Sequence, residues 1–206
     1  MTTGRLVAFE GGDGCGKSTQ AARLAKRLGA VLTREPGGTA VGERLRALVL
    51  DPATVGLDAR AEALLMAAAR AQHMAEVIGP ALADGRDVVT DRFTGSSLAY
   101  QGVARGLGVA EVAALSRFAA APEPDLVVLI QVDADEADRR RAGAGPDRIE
   151  AEHSAFHQRV LDAFASLAAA RPDQWLVICG DGTPDEVERR VLDAVASRLA
   201  LPELLI

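Results

Sequence analysis

Five short apolar runs rich in β-branched residues punctuate the chain: RLVAFE (5–10), AVLTR (30–34), RDVVTD (86–91), DLVVLIQV (125–132) and QWLVIC (174–179). Runs this short and this uniformly apolar predict strands buried on both faces, as in a parallel sheet, rather than the alternating strands of a half-solvated antiparallel one. Between them, apolar residues recur at helical spacing over 18–28, 41–50, 57–83, 109–120, 149–170 and 184–199, with Gly29, Gly56, Gly85, Gly108, Pro122 and Gly180 as punctuation. Thr183 is placed to cap the last helix, with Pro184 at its first position. Strands alternating with helices predict an α/β fold, and with no internal repeat or linker in view one doubly wound domain over residues 1–206 suffices. The stretch DRRRAGAGPDR (138–148) breaks the pattern. It is charged and glycine-bearing, not suited to a rigid helix throughout, and is expected to form a mobile lid.

Composition narrows the function. About half of the 206 residues are apolar, enough for one well-buried core, and the net charge of −6 argues against a surface that wraps nucleic acid. No apolar run reaches the roughly 20 residues a membrane-crossing helix needs, and the N-terminus MTTGRLVAFE lacks the pattern of a secretion signal. A cytoplasmic protein with no membrane partner is expected. Cys15 and Cys179 are far apart and fit no metal or redox spacing, so free thiols are expected. Lys17 and Lys26 are the only lysines, against a surplus of arginine that tempers the meaning of any single arginine.

Lys17 nevertheless stands in a telling place. Gly11-Gly12-Asp13-Gly14-Cys15-Gly16-Lys17-Ser18 fits G-x-x-x-x-G-K-[ST] and lies between a predicted strand and a predicted helix, the context in which this motif binds polyphosphate. Glycines let backbone N–H groups turn inward around an anion, and the helix N-terminus adds partial positive charge. Lys17 then reaches the outer phosphates, the Ser18 hydroxyl meets Mg²⁺, and Thr19 follows as a further contact. Cys15 reads either as a reactive thiolate at the helix start or as a small residue filling a crowded loop. No N-K-x-D element follows a later strand, which favours ATP and chemistry over a GTP switch. Asp91 closes the third strand beside this loop, where a carboxylate that supports Mg²⁺ belongs, with Arg92 next to it facing the crevice; the pair could also be a plain surface ion pair.

FEGGDGCGKST, TREPGGT (33–39), DRFTGSSLAYQGVARG (91–106), DRIEAE (147–152) and the late GDGTPDEV, taken in that order, resemble the thymidylate kinase family over nearly the whole chain. The resemblance implies a three-layer phosphate-loop kinase fold, with a five-stranded parallel sheet in the order 2-3-1-4-5, and homodimers that pack helix against helix. It implies transfer of the ATP γ-phosphoryl group to dTMP with Mg²⁺. Carried onto this chain, it puts Asp13 near the sugar 3′-OH, and Arg92 between the acceptor phosphate and the γ-phosphate. Arg70 and Ser97 would sit at the thymine edge, Tyr100 against the 2′ position and Gln101 on base or sugar. Arg34 belongs to the acceptor site, and the GDGTP segment to the adenine. Such loops come in two styles; with Gly14 where some members carry a basic residue, the lid must supply cations, and Arg139 and Arg141 are favoured over Arg140 and Arg148.

The chain departs from the family at Met66, four residues before Arg70 and on the same helix face, where an aromatic ring commonly stacks on the base. Met66 reads either as plain core or as a weaker base contact, and in the second case base discrimination is expected to soften. Gly143 stands where relatives carry another lid arginine. Two further activities remain open at this point: a kinase for another or several nucleoside monophosphates, and a nucleotide-binding regulator without turnover.

Overall fold

A computed structural model describes residues 3–141 and 145–205, apart from the side chains of 134, 138, 141, 203 and 205. Five strands form a single parallel sheet: β1 (Leu6–Glu10), β2 (Val31–Arg34), β3 (Val88–Asp91), β4 (Leu126–Gln131) and β5 (Trp175–Cys179), in the order β2-β3-β1-β4-β5. Each observed strand lies inside its predicted run. The order is the one the resemblance implied, and it reverses direction on either side of β1, so a crevice opens at the C-terminal ends of β1 and β3. Register brings Phe9 beside Asp91, and Arg34 beside Asp91 on the other flank.

Helices cover both faces. Leu6, Ala8, Val88, Val127 and Leu129 point to one side, where α3 (Ala59–His73), α4 (Gly79–Ala83) and α8 (Ser154–Ala170) pack on them. Val7, Phe9, Val89, Val128 and Ile130 point to the other, against α1 (Lys17–Leu28) and α9 (Pro184–Leu199). Both faces of the central strands are therefore dry, which is why their sequences do not alternate; each Val, Leu, Ile or Phe among them contributes roughly 1.5–3 kcal/mol by burial. The Thr183 side chain accepts from Glu186 N while Glu186 reaches back to Thr183 N, so the expected cap is a full reciprocal box.

Four helical segments differ from expectation. The predicted 57–83 helix is helical over most of its length but widens to i→i+5 turns over Met74–Ile78, between α3 and α4. The predicted 149–170 helix starts later, at Ser154, because His153 Nδ1 accepts from Phe156 N and caps it there. An unforeseen helix, α5 (Thr94–Ser97), continues through wide turns over Leu98–Ala104 and precedes α6 (Val109–Phe118). In the lid segment an unforeseen helix, α7 (Ala134–Arg141), runs through Arg139, Arg140 and Arg141, while 145–147 are not helical; Gly143 lies outside the described residues. The remaining helix, α2 (Ala40–Leu50), follows the 33–39 loop and is capped by the Thr39 side chain, which accepts from Gly42 N.

Candidate active site

The loop after β1 turns on Gly11, Gly14 and Gly16, all at positive φ. A Cβ on Gly11 would lie 2.4 Å from the Ile130 carbonyl oxygen of β4, so only glycine lets the loop hug the sheet. Cys15 is buried and its sulfur packs against Gly11, which matches the space-filling reading. Lys17 opens α1 and folds over the loop, donating to Gly12 O at 3.1 Å with Asp13 Oδ1 at 3.5 Å. Ser18 Oγ donates to Asp91 Oδ2 at 2.5 Å, and Asp91 Oδ1 is buried without a partner among the described residues.

Arg92 follows directly, with φ at 68°, a left-handed backbone that turns its side chain back over the loop. Its guanidinium donates to Asp13 Oδ1 (2.5 Å), Gly11 O (3.2 Å), Ser96 Oγ (2.9 Å) and Tyr100 OH (3.3 Å). Burial alone would lift the Asp13 carboxyl, but the charges of Arg92 and Lys17 outweigh it and hold the group well below the usual carboxylate range. Burial likewise opposes the Arg92 charge, yet Tyr100, Asp13, Glu10 and Asp91 around it overcompensate and raise its pKa. The Tyr100 hydroxyl donates to Asp13 Oδ2 at 3.2 Å and is pushed up by burial, so it stays neutral. Beneath this group lies Glu10, missed in the sequence, which accepts from Phe93 N, Ser96 N and the Ser96 hydroxyl. Burial pushes Glu10 up to about 7, against the pull of those hydrogen bonds and of Arg92.

Two cavities meet at Asp13, Arg46 and Arg92. One is a crevice of about 600 Å³ along the phosphate loop, with Lys17, Ser18, Asp91 and Arg34 on its walls. The other runs inward past Met66, Tyr100, Ser96 and Ile149. Arg34 is half-exposed and paired with Glu43 at 3.0 Å. Arg46, which shares both cavities, was not foreseen, since in an arginine-rich chain its helical spacing says nothing of a site. Its Nη1 donates to Pro36 O at 3.0 Å, and burial together with the Arg34 charge presses its pKa down.

Arg70 and Ser97 lie behind the Met66 wall rather than on it. Arg70 is buried and donates to Glu35 Oε2 (2.7 Å), Ser116 Oγ (3.1 Å), Phe93 O (3.1 Å) and Ser97 Oγ (2.9 Å). That uses four of the five N–H groups a guanidinium carries and leaves one on Nη1. Glu35 also meets His73 Nδ1 at 3.0 Å, while His73 Nε2 lies 2.6 Å from Thr33 Oγ1. Because a carboxylate only accepts, His73 donates to Glu35 through Nδ1. Gln101 is fully buried; its Nε2 donates to Glu62 at 2.8 Å and its Oε1 has no partner among the described residues. Glu62, Met66 and Arg70 are spaced four apart on α3, so two polar pairs, Glu62–Gln101 and Arg70–Ser97, bracket Met66.

On the far side of the loop a third cavity is lined by Cys15, Gly16, Thr19, Gln20, Arg140, Gly180 and Gly182. Arg140, not Arg139, crosses it, donating to Cys15 O (3.4 Å), Gly180 O (3.1 Å) and Gly182 O (3.3 Å). Arg139 is exposed and paired with Glu136. The side chain of Arg141 lies outside the described residues. Arg148 anchors instead of facing the phosphates: it donates to Val49 O and Glu62.

The family model described as thymidylate kinase matches residues 9–191. A thymidylate kinase of Rhizorhabdus wittichii is 46% identical over 205 residues, covering 95% of this chain and 99% of that protein. One from Pelotomaculum thermopropionicum is 46% identical over 199 residues, covering 93% and 92%. The crystal structure of thymidylate kinase from Ehrlichia chaffeensis superposes with a TM-score of 0.76 at 31% identity, over 94% of this chain and 98% of that one. Together with the phosphate loop, the sheet order and the guanidinium-lined crevice, these matches establish that the chain belongs to the thymidylate kinase family and has the activity of that family, the phosphorylation of dTMP to dTDP.

Proposed function

We propose that the enzyme holds ATP on the 11–18 loop and dTMP in the inner cavity, with transfer at the meeting point of Asp13, Arg46 and Arg92. The backbone amides of the loop and Lys17 cradle the donor phosphates, and the cavity crossed by Arg140 takes the adenine beside the 180–182 segment. Ser18 Oγ and the unpartnered Oδ1 of Asp91 are oxygen donors of the kind Mg²⁺ takes alongside phosphate oxygens, so the residues present fit that ion. Once bound, Mg²⁺ neutralises charge on the transferring group. Arg92 and Arg46 draw the acceptor phosphate into line, and Asp13, held ionised, accepts from the sugar hydroxyl. The acceptor phosphate is already a nucleophile, so no general base is called for.

The observation that carries the choice of base is the pair of unspent groups bracketing Met66: one N–H of Arg70 and the Oε1 of Gln101. A donor and an acceptor on either side of Met66, once brought against the base, would complement O4 and N3–H of thymine. Cytosine presents N4–H₂ and an unprotonated N3, the opposite pattern, and a mismatched buried hydrogen-bond site rejects strongly. Met66 in place of a stacking ring leaves the contact with the ring face softer, so dUMP is expected to be a closer competitor than dCMP. ADP release over dTMP, dUMP, dCMP and dGMP tests this reading. Preference in the order dTMP, dUMP, then dCMP supports it, and equal turnover of dTMP and dCMP refutes it. The solution state is proposed to be a homodimer, supported by exposed apolar residues such as Leu48 and Leu64 on the adjoining α2 and α3; light scattering at the monomer mass would reject it. No helix among the described residues is long and apolar enough to cross a membrane, and the free cysteines support a cytoplasmic location.

A further inference from the structure

Glu62 is completely buried, yet three residues from two other segments donate to its carboxylate. Gln101 Nε2 lies at 2.8 Å, Arg105 Nε and Nη2 at 3.3 and 3.1 Å, and Arg148 Nη2 at 2.6 Å. Burial would raise this carboxyl, but Gln101, Arg148 and Arg105 outweigh it and hold the group below the usual carboxylate range, so it remains a pure acceptor.

The consequence falls on Gln101. A glutamine amide is nearly symmetric in shape and can present either its oxygen or its NH₂ to a neighbour. A carboxylate accepts only, so the NH₂ must face Glu62, and Oε1 must face away from it, where it is buried and unpartnered. The same carboxylate seats Arg148, the last residue of the lid segment. Arg148 is pinned a second and third time, by Nε to Val49 O at 2.6 Å and by its backbone N to Leu50 O at 2.9 Å. Its neighbours Asp147 and Ile149 line the inner cavity together with Leu50.

We propose that Glu62 is a positioning residue for base selection: it fixes the direction of the Gln101 amide so that an acceptor meets the imide N–H of the base, and through Arg148 it seats the C-terminal root of the lid against the same cavity. The proposal rests on the reading of Gln101 as a base contact. Glu62 acts through Gln101 without touching the base, and removing its charge changes which base is accepted. In Glu62→Gln the new amide can donate as well as accept, Gln101 can reverse, and a reversed Gln101 presents the NH₂ that cytosine prefers.

The test is the ratio of kcat/KM for dTMP over dCMP at saturating Mg-ATP, with Mg-ATP affinity by calorimetry as the control. Glu62→Gln is expected to lower that ratio by about tenfold or more, with dCMP gaining relative to dTMP, while Mg-ATP affinity stays within about twofold. Glu62→Asp keeps an acceptor-only group and is expected to retain the ratio while raising the KM for dTMP. In Gln101→Leu the ratio falls, and adding Glu62→Gln to it lowers the ratio no further. If Glu62→Gln loses thermal stability at an unchanged ratio, or if its effect adds fully to that of Gln101→Leu, Glu62 is structural and the proposal is overturned. If Glu62→Gln does not fold, Glu62→Asp decides: loss of the ratio at an unchanged KM overturns the proposal. A wild-type enzyme that fails to distinguish dTMP from dCMP would instead remove the underlying base reading, a failure visible before any variant is made.

Discussion

Arg92→Ala removes the group on which the site converges. Its four hydrogen bonds vanish, and among the described residues Asp13 keeps Lys17 at 3.5 Å and the Tyr100 hydroxyl at 3.2 Å. Breaking a buried ion pair costs roughly 3–5 kcal/mol; because the two side chains keep 15% and 19% exposure and Lys17 remains, about 2–3 kcal/mol is the better figure. In a chain of this size that lowers Tm by about 5–10 °C. The effect on rate should be larger. A guanidinium laid on a transferring phosphoryl group is worth about 10³-fold or more, or at least ~4 kcal/mol of barrier. A coupled ADP assay at saturating dTMP and Mg-ATP, with Mg-ATP binding followed by calorimetry, separates the two effects. The expected result is kcat down about 10³-fold with donor affinity changed less than about threefold, because the contact strengthens in the transition state. Arg92→Lys should recover only part of the loss, since an ammonium cannot reproduce the fork that spans Asp13, Ser96 and Tyr100. A kcat within tenfold of wild type in Arg92→Ala would remove Arg92 from the chemistry.

Three further outcomes follow from the geometry. Glu10 titrates near 7 when folded and near its ordinary value of about 4.3 when unfolded, so between these pH values the folded chain binds more protons and stability falls as pH rises. The full penalty, about 3–4 kcal/mol, is present above pH 7; Asp13 and Glu62 shift the other way, but their window lies below their unfolded values. Urea midpoints at pH 5 and pH 8 should therefore differ less in Glu10→Gln than in wild type, and an equal difference would contradict the assignment. Met66→Phe should lower the KM for dTMP by about fivefold, the worth of ~1 kcal/mol of ring stacking, and a raised KM would show that the larger ring closes the cavity. Arg140→Ala should raise the KM for ATP by about tenfold through loss of its three carbonyl contacts, whereas Arg139→Ala, on an exposed pair, should stay within about twofold; the reverse pattern would restore Arg139 to the site.

The sheet was legible because its central strands β1, β3 and β4 are dry on both faces, which leaves runs of Val, Leu and Ile, and because the edge strands β2 and β5 stay apolar even where Leu32 and Val177 are exposed. The phosphate loop was legible because its glycines meet a backbone demand, as Gly11 against Ile130 shows. The helix over 94–104 was not. Gly95, Ser96, Ser97 and Gly102 break any apolar stripe, and the first turn is capped by Glu10, a residue 83 positions earlier whose contribution no local window contains. Arg46 escaped, and Arg140 was ranked below Arg139, for a different cause. Where arginine is abundant, only three-dimensional neighbours separate one that bridges carbonyls, or lines two cavities at once, from one that faces water. Arg148 was half legible: it ranked below Arg139 and Arg141 among the lid arginines, but the partner that holds it, Glu62, lies on α3 and shows in sequence only as one more acidic residue of a helix.

A crystal structure with dTMP and a non-hydrolysable ATP analogue bound together tests the central claim most directly. The account predicts the thymine beside Met66 with N3 within hydrogen-bond distance of Gln101 Oε1 and O4 facing Arg70, the acceptor phosphate on Arg92, and the donor phosphates on the 11–18 loop. A base whose imide edge faces away from Gln101 and Arg70, or an acceptor phosphate out of reach of Arg92, would contradict it.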